Sequence, residues 1–417
     1  MDPSGQASAI APEFLRRQND SVIHPVAETA LTRAGALRLD AIDLLRGFVI
    51  VLMVLDHARD FLHAKAFVFS ATDLTQTTPL LFMTRWITHL CAPTFVFLAG
   101  VSIFLQRANG KSPAELSKFL LTRGLWLILL ELTVVSFGFN WGPPLAFMQV
   151  IWAIGASMVL MAAVVRLPAA GILALGAAIL ILQPLIAGQV DARSLGGWAI
   201  PWFLTMQPGP TLFMRGFIPY PAIPWFGIMC VGYGLGFIFR QEPEQRRRSV
   251  LALALSLLAA FVVLRAINGY GDPAPWAVQS SAVMTVLSFI NVSKYPPSLM
   301  YALLTLGTSM LLFLVLDRLA APLQKFLLAF GRTSLFTYLL HVYLVHGMAL
   351  LVGVIAGIPA GYYFDFLGKI EGGNGGQGFG LAAVYAAWFA VLLLLYPFSA
   401  WFAAVKRRRR DRWLSYL

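Results

Sequence analysis

The chain has 417 residues, of which 59% are hydrophobic and 12% charged, and a formal net charge of +12; its mean hydropathy is +0.74. These values exclude a soluble globular domain and predict a polytopic membrane protein. The positive balance then reads as topology determinants and anionic-lipid contacts, with no nucleic-acid partner implied.

Taken in chain order, residues 1–38 mix Pro, Ala, Ser and charge without an apolar period, which predicts a disordered cytoplasmic tail. The tail lacks the charged-then-apolar design of a cleaved signal peptide. Apolar runs long enough to cross roughly 30 Å of hydrocarbon, about 20 residues each, fall near 42–62, 86–106, 119–139, 148–167, 169–188, 221–240, 250–269, 296–317, 329–355 and 380–404. The expectation is an all-α bundle of about ten transmembrane helices over 39–405, followed by a basic tail at 406–417. With ten spans, the basic segments at Arg16–Arg38, Arg107–Lys118, Arg246–Arg248, Arg318–Lys325 and Lys406–Arg412 share one side, so both termini are expected in the cytoplasm. Large apolar faces leave a homodimer open. Cys91 and Cys230 fall inside spans and read as buried apolar residues. No dinucleotide, P-loop, CxxC or HExxH motif occurs, and no metal is expected.

Ionisable groups inside such spans are candidates for function. On the first span, Asp43 and Arg46 lie near the cytoplasmic end, and Asp56, His57 and Arg59 near the outer end. Arg46 and His57 are eleven residues apart, close to three full turns, and so share a face. The second span returns with Arg85 and His89 at its outer end. Gln149, Lys294, Tyr295 and His346 come to the same mouth, and His341 lies deeper on a stripe with Ser334, Thr337 and Tyr338. Imidazole can take a proton from an amine or hydroxyl and return it to a leaving group. A neighbouring cation can hold a carboxylate or phosphate, or stabilise an oxyanion. His57, His89 and Asp56 are therefore the catalytic candidates; Arg59, Arg85, Lys294, Tyr295, Gln149 and His341 are the acceptor-binding ones. A lone histidine such as His63 or His341 reads as well as a satisfied structural group. Glu131, mid-span, needs either an interior arginine or apolar surroundings that keep it neutral.

The strings DLLRG (43–47), LMVLDH (52–57), CAPTFVFLAG (91–100), FMQVIWAIG (147–155), YPAIPWFG (220–227), SKYPPSL (293–299) and GRTSLFTYLLH (331–341), in this order, resemble the catalytic domain of the heparan-alpha-glucosaminide N-acetyltransferase family in its bacterial form. A related architecture is that of acyltransferase-3 and YeiB-like membrane proteins. The resemblance implies a multi-pass enzyme of the bacterial inner membrane that moves an acetyl group from cytoplasmic acetyl-CoA to an amine or hydroxyl of a sugar or envelope glycan at the outer face. Asp43, Arg46, Arg123 and Arg332, at the cytoplasmic helix ends, are then the candidates for the CoA end of the site. In the lysosomal relatives the positions of His57 and His89 are Asn and Asp, and the catalytic histidine lies in the lumenal segment where this chain offers His63. His57 ranks first as base because a rigid helix fixes its direction, oriented by Asp56 or His89. The rival reading is a proton-coupled transporter or flippase, against which stand the lack of an inverted repeat and of matched interrupted helices.

Overall fold

The computed structural model describes residues 25–187, 209–210, 216–373, 375–409, 411 and 414. In chain order come α1 (Pro25–Leu62), α2 (Pro79–Thr88), α3 (Cys91–Ala108) and α4 (Pro113–Leu130), the last continued by a π-helical turn, Glu131–Val135, into α5 (Ser136–Asn140). β1 (Ala146–Phe147), α6 (Val150–Val164), α7 (Ala169–Ala187), β2 (Gly209–Pro210) and β3 (Gly216–Ile218) follow. Then come α8 (Ala222–Gly234), α9 (Pro243–Ile267), α10 (Ala282–Ile290), α11 (Leu299–Leu316), α12 (Ala321–Gly331), α13 (Ser334–Ile355), α14 (Phe366–Gly372) and α15 (Leu381–Arg408). Every apolar run predicted from the sequence falls on helix. Among the described residues, seven helical stretches are long and apolar enough to cross a membrane, while Val150–Val164 and Ala169–Leu185 are apolar but shorter. The chain is an all-α polytopic membrane protein. Of the tail expected to be disordered, residues 1–24 lie outside the described residues, and α1 begins at Pro25.

The charges on α1 decide where it sits. A helix carrying Arg46, Asp56, His57, Arg59 and Asp60 cannot face lipid, and α1 packs against α2, α3, α11, α12, α13 and α15. Close crossings rest on glycine: a Cβ on Gly47 would overlap the Leu327 carbonyl of α12, and one on Gly331 the Asp43 carbonyl of α1. Gly100 of α3 and Gly232 of α8 meet the same way across the Phe97 and Met229 carbonyls. Such small-residue contacts bring membrane helices together where no hydrophobic effect drives them.

Two helix irregularities shape the interior. Pro93 has no N–H to donate to the His89 carbonyl one turn back; the chain breaks between α2 and α3 there, and the freed oxygen accepts from the Tyr301 hydroxyl at 2.8 Å. Glu131, fully buried, pairs with no arginine among the described residues and sits in the apolar surroundings that were the alternative, with Oε1 lacking a hydrogen-bond partner. Its other oxygen accepts from Trp152 N at 2.7 Å, capping the N-terminus of α6 from a neighbouring helix.

At the end away from the termini, β3 pairs parallel with β1 and antiparallel with β2, which carries Phe217 and Tyr220 to the start of α6. Arg265 gathers the following loop by donating to the carbonyls of Ala274, Ser288, Phe289 and Asn291. Asp272 accepts from Ser293 N and Ser298 Oγ, so Lys294 and Tyr295 are held on a fixed turn.

Gly100→Leu should lower the thermal midpoint of the detergent-purified protein by several degrees, because a side chain cannot enter the α3–α8 contact without an overpacking cost of about 1–3 kcal/mol or more. Gly361→Ala, with nothing within 4 Å of its Cβ position, should leave the midpoint unchanged.

Candidate active site

Two cavities open at opposite ends of the bundle. The one at the basic end, about 800 Å³, is lined among others by Arg46, Lys111, Arg123, Arg332 and Lys406, with Asp43 the one lining carboxylate among the described residues. Arg46 donates to Asp43 at 3.1 Å and to Ser102 Oγ. Arg332 pairs with Asp40, and Lys406 Nζ donates to the Arg332 carbonyl at 3.4 Å. Burial pulls the Lys406 ammonium only partly out of water, and five cations against one lining acid make the wall strongly positive.

The second cavity, about 430 Å³, is lined by Asp56, His57, Arg59, Asp60, Arg85, Gln149, Lys294 and Tyr295 together with aromatic residues that include Phe67, Phe217, Tyr220 and Phe366. Asp56 is its anchor. Its two oxygens take Nη1 of Arg85, Arg59 Nη2 at 3.1 Å and Thr88 Oγ1 at 2.9 Å. Arg59 also donates to Asp60 at 2.6 Å, and Arg85 to the Tyr295 oxygen at 3.3 Å. Lys294 has no carboxylate within salt-bridge distance among the described residues; its Nζ sits 5.7 Å from the Tyr220 ring centroid and 5.1 Å from that of Tyr295. A cation held against two aromatic faces remains available to a ligand. Phe95 and Val150 line both cavities, so the two spaces meet at this apolar partition.

The four residues expected at the CoA end, Asp43, Arg46, Arg123 and Arg332, share the basic cavity, and seven of the expected outer residues share the other. His57 is oriented differently from expectation. Asp56, adjacent in sequence, points about 100° away round the helix and is committed to Arg85, Arg59 and Thr88. The near carboxylate is instead that of Asp60, one turn on, with Oδ2 3.7 Å from His57 Nδ1. That spacing of three is legible in the sequence, since residues i and i+3 share a helix face. His89 caps α2 and packs its ring against Tyr301 at 5.6 Å, and it lines neither cavity. His63 is buried beside Phe379 and accepts from Lys65 N; burial, with Arg59 and Lys65 near, pushes its imidazole below the ordinary value. His346 is a staple: its two ring nitrogens face the carbonyls of Gly138 and Tyr363, both at 2.8 Å. Lys111 and Lys406 were unforeseen members of the basic wall. Residues 188–208 and 211–215 lie outside the described residues, while Phe217, Pro219 and Tyr220 line the second cavity.

With this geometry in place, one comparison is decisive: the model of the heparan-alpha-glucosaminide N-acetyltransferase catalytic family matches residues 38–266, just over half the chain. The chain belongs to the heparan-alpha-glucosaminide N-acetyltransferase family. Membership implies a transmembrane acetyltransferase. The matched segment carries α1 to α9, and with them Arg46, Asp56, His57, Arg59 and Arg85 from both cavities; Lys294, Arg332 and His341 lie beyond it. No curated protein matches the chain.

Asp56→Ala should be more damaging than the loss of one small side chain suggests. It leaves Arg85 with an uncompensated buried charge and Arg59 with Asp60 as its carboxylate, a loss of roughly 3–5 kcal/mol for a broken buried pair, and the expected result is a clear drop in thermal midpoint, measured in detergent beside the milder Asp60→Asn.

Proposed function

We propose that the chain transfers an acetyl group from acetyl-CoA, bound in the basic cavity, to an amine or hydroxyl of a sugar or envelope glycan in the opposite cavity, with His57 as general base. The observation that carries this reading is the pair of chemically unlike cavities meeting at Phe95 and Val150. Acetyl-CoA has the same polarity: phosphates at one end and an uncharged thioester at the other. Guanidinium groups suit the phosphates through paired, charge-assisted hydrogen bonds, and the apolar partition suits the arm between. Eleven residues separate Arg46 from His57, about 16 Å along the helix, a span that an extended pantetheine arm covers.

In the opposite cavity, an acceptor sugar stacks on the aromatic wall. His57 takes a proton from its amine or hydroxyl as the heteroatom attacks the thioester carbon, and Arg85, Lys294 or Gln149 supports the oxyanion. The new C–N or C–O bond replaces the C–S bond, and the proton ends on the CoA sulfur, so free CoA leaves by the basic end. His89 we assign to the helix break. By the positive-inside rule the basic end faces the cytoplasm, which puts the acceptor at the outer face of a cytoplasmic membrane.

Acetyl-CoA turnover by the protein in nanodiscs, with a panel of amino sugars and glycans, tests the reading. Arg46→Ala and Arg332→Ala should each weaken CoA binding by roughly 10–100-fold, the worth of a hydrogen bond to a charged group. His57→Ala should keep CoA affinity and lower kcat by roughly 10²–10⁴. Protein that neither binds CoA nor consumes acetyl-CoA would contradict it, as would a solute carried across unchanged. Phe95→Trp should leave CoA affinity intact and reduce kcat, because the bulkier ring narrows the partition that the thioester has to reach.

A further inference from the structure

His341 has no place in either cavity, yet it touches the lining of both. It is fully buried on α13. Its ring centroid lies 5.2 Å from that of His57, which lines the outer-facing cavity, and 5.3 Å from that of Tyr338, which lines the basic one. Nδ1 of His341 bonds the Tyr338 carbonyl; a carbonyl only accepts, so Nδ1 carries the proton and Nε2 presents a bare lone pair. That Nε2 has no hydrogen-bond partner, and neither has Nδ1 of His57. Orphaned nitrogens are costly in the interior and call for an explanation. His346, five residues along the same helix, shows the contrast: each of its ring nitrogens has a carbonyl 2.8 Å away.

We propose that His341 is a positioning residue for the transfer reaction, the proton partner of His57. This rests on the transfer reading above. When His57 takes the proton from the acceptor's N–H or O–H, a turn of the neighbouring imidazole, its centroid 5.2 Å away, brings the free Nε2 of His341 to accept a share of it and hold the His57 ring in line. As the C–S bond breaks, the proton passes back through His57 to the thiolate, forming the S–H of CoA. No proton is gained or lost overall, and none need be exchanged with water through the apolar partition. Asp60, 3.7 Å from the His57 ring, offsets the charge that the pair transiently carries. The tilted packing of the two rings also explains why α13 and α1 stay in contact at this level.

The test uses the full chain in nanodiscs, with acetyl-CoA and a panel of amino sugars including glucosamine. His341→Ala and His341→Gln should each lower kcat by about 10²-fold while leaving the KM for acetyl-CoA within about threefold. Added imidazole should restore the Ala variant, and pyrazole, of the same shape but a much weaker base, should not. The Gln variant keeps volume and polarity, so the kcat loss is read on a folded protein whose CoA affinity is measured in parallel. The proposal is overturned if His341→Gln turns over like the wild type, or if pyrazole restores the Ala variant as well as imidazole does, which is the signature of packing alone. Failure of the transfer reading looks different: the wild type then releases no CoA with any probe, and the proposal falls with it.

Discussion

Charge on a helix at the centre of a membrane bundle has to be neutralised within the protein, and in this molecule the Asp56 carboxylate does most of that. It draws Arg59 from its own helix, Arg85 and Thr88 from α2, and so ties the first two membrane segments at one level. Arg59 passes on to Asp60 and Arg85 to Tyr295, which extends the network to the loop before α11. Asp56, Arg59, Asp60, Arg85 and Tyr295 of the outer-facing cavity are held by these bonds. Because desolvation makes a lone buried ion far more costly than a paired one, the network also explains why α1 lies inside the bundle and its neighbours wrap it.

The helices and the two polar ends were legible in the sequence. Apolar length gives the spans, and the distribution of Lys and Arg separates a basic end from one rich in His and aromatic residues. The shared face of Arg46 and His57 followed from helical period alone, and both do line cavities on one seam. The partners were harder to read. Asp56 sits next to His57 in sequence and invites pairing, whereas helix geometry turns it toward Arg85 and leaves Asp60 beside the imidazole. At His89, Pro93 one turn on frees the carbonyl, and the helix break is held by the Tyr301 hydroxyl. Tertiary contacts of this kind, between residues more than two hundred positions apart, leave no periodic trace.

The same holds for the irregular elements that build the site. Glu131 has the look of a functional intramembrane acid, yet it serves as an N-cap for α6, where Gln149 and Val150 begin the cavity wall. Arg265 spends its donors on four loop carbonyls and thereby holds the turn that presents Lys294 and Tyr295. Among the described residues several buried polar atoms lack a hydrogen-bond partner, Glu131 Oε1, His89 Nδ1 and the Tyr338 hydroxyl among them; the orphaned nitrogens of His57 and His341 differ in belonging to two rings whose centroids are 5.2 Å apart. A rigid frame with a few unsatisfied groups at its centre is the arrangement expected where chemistry has to occur.

The central claim is that one protein joins a donor on one side of the membrane to an acceptor on the other. Its most direct test is a sided assay in proteoliposomes of known orientation, with [14C]acetyl-CoA confined to the side of the basic end and amino sugar to the opposite side. The account predicts labelled, acetylated sugar on the acceptor side and free CoA on the donor side. Labelled sugar only when both reactants share one compartment, or labelled acetyl-CoA appearing intact across the membrane, would contradict it.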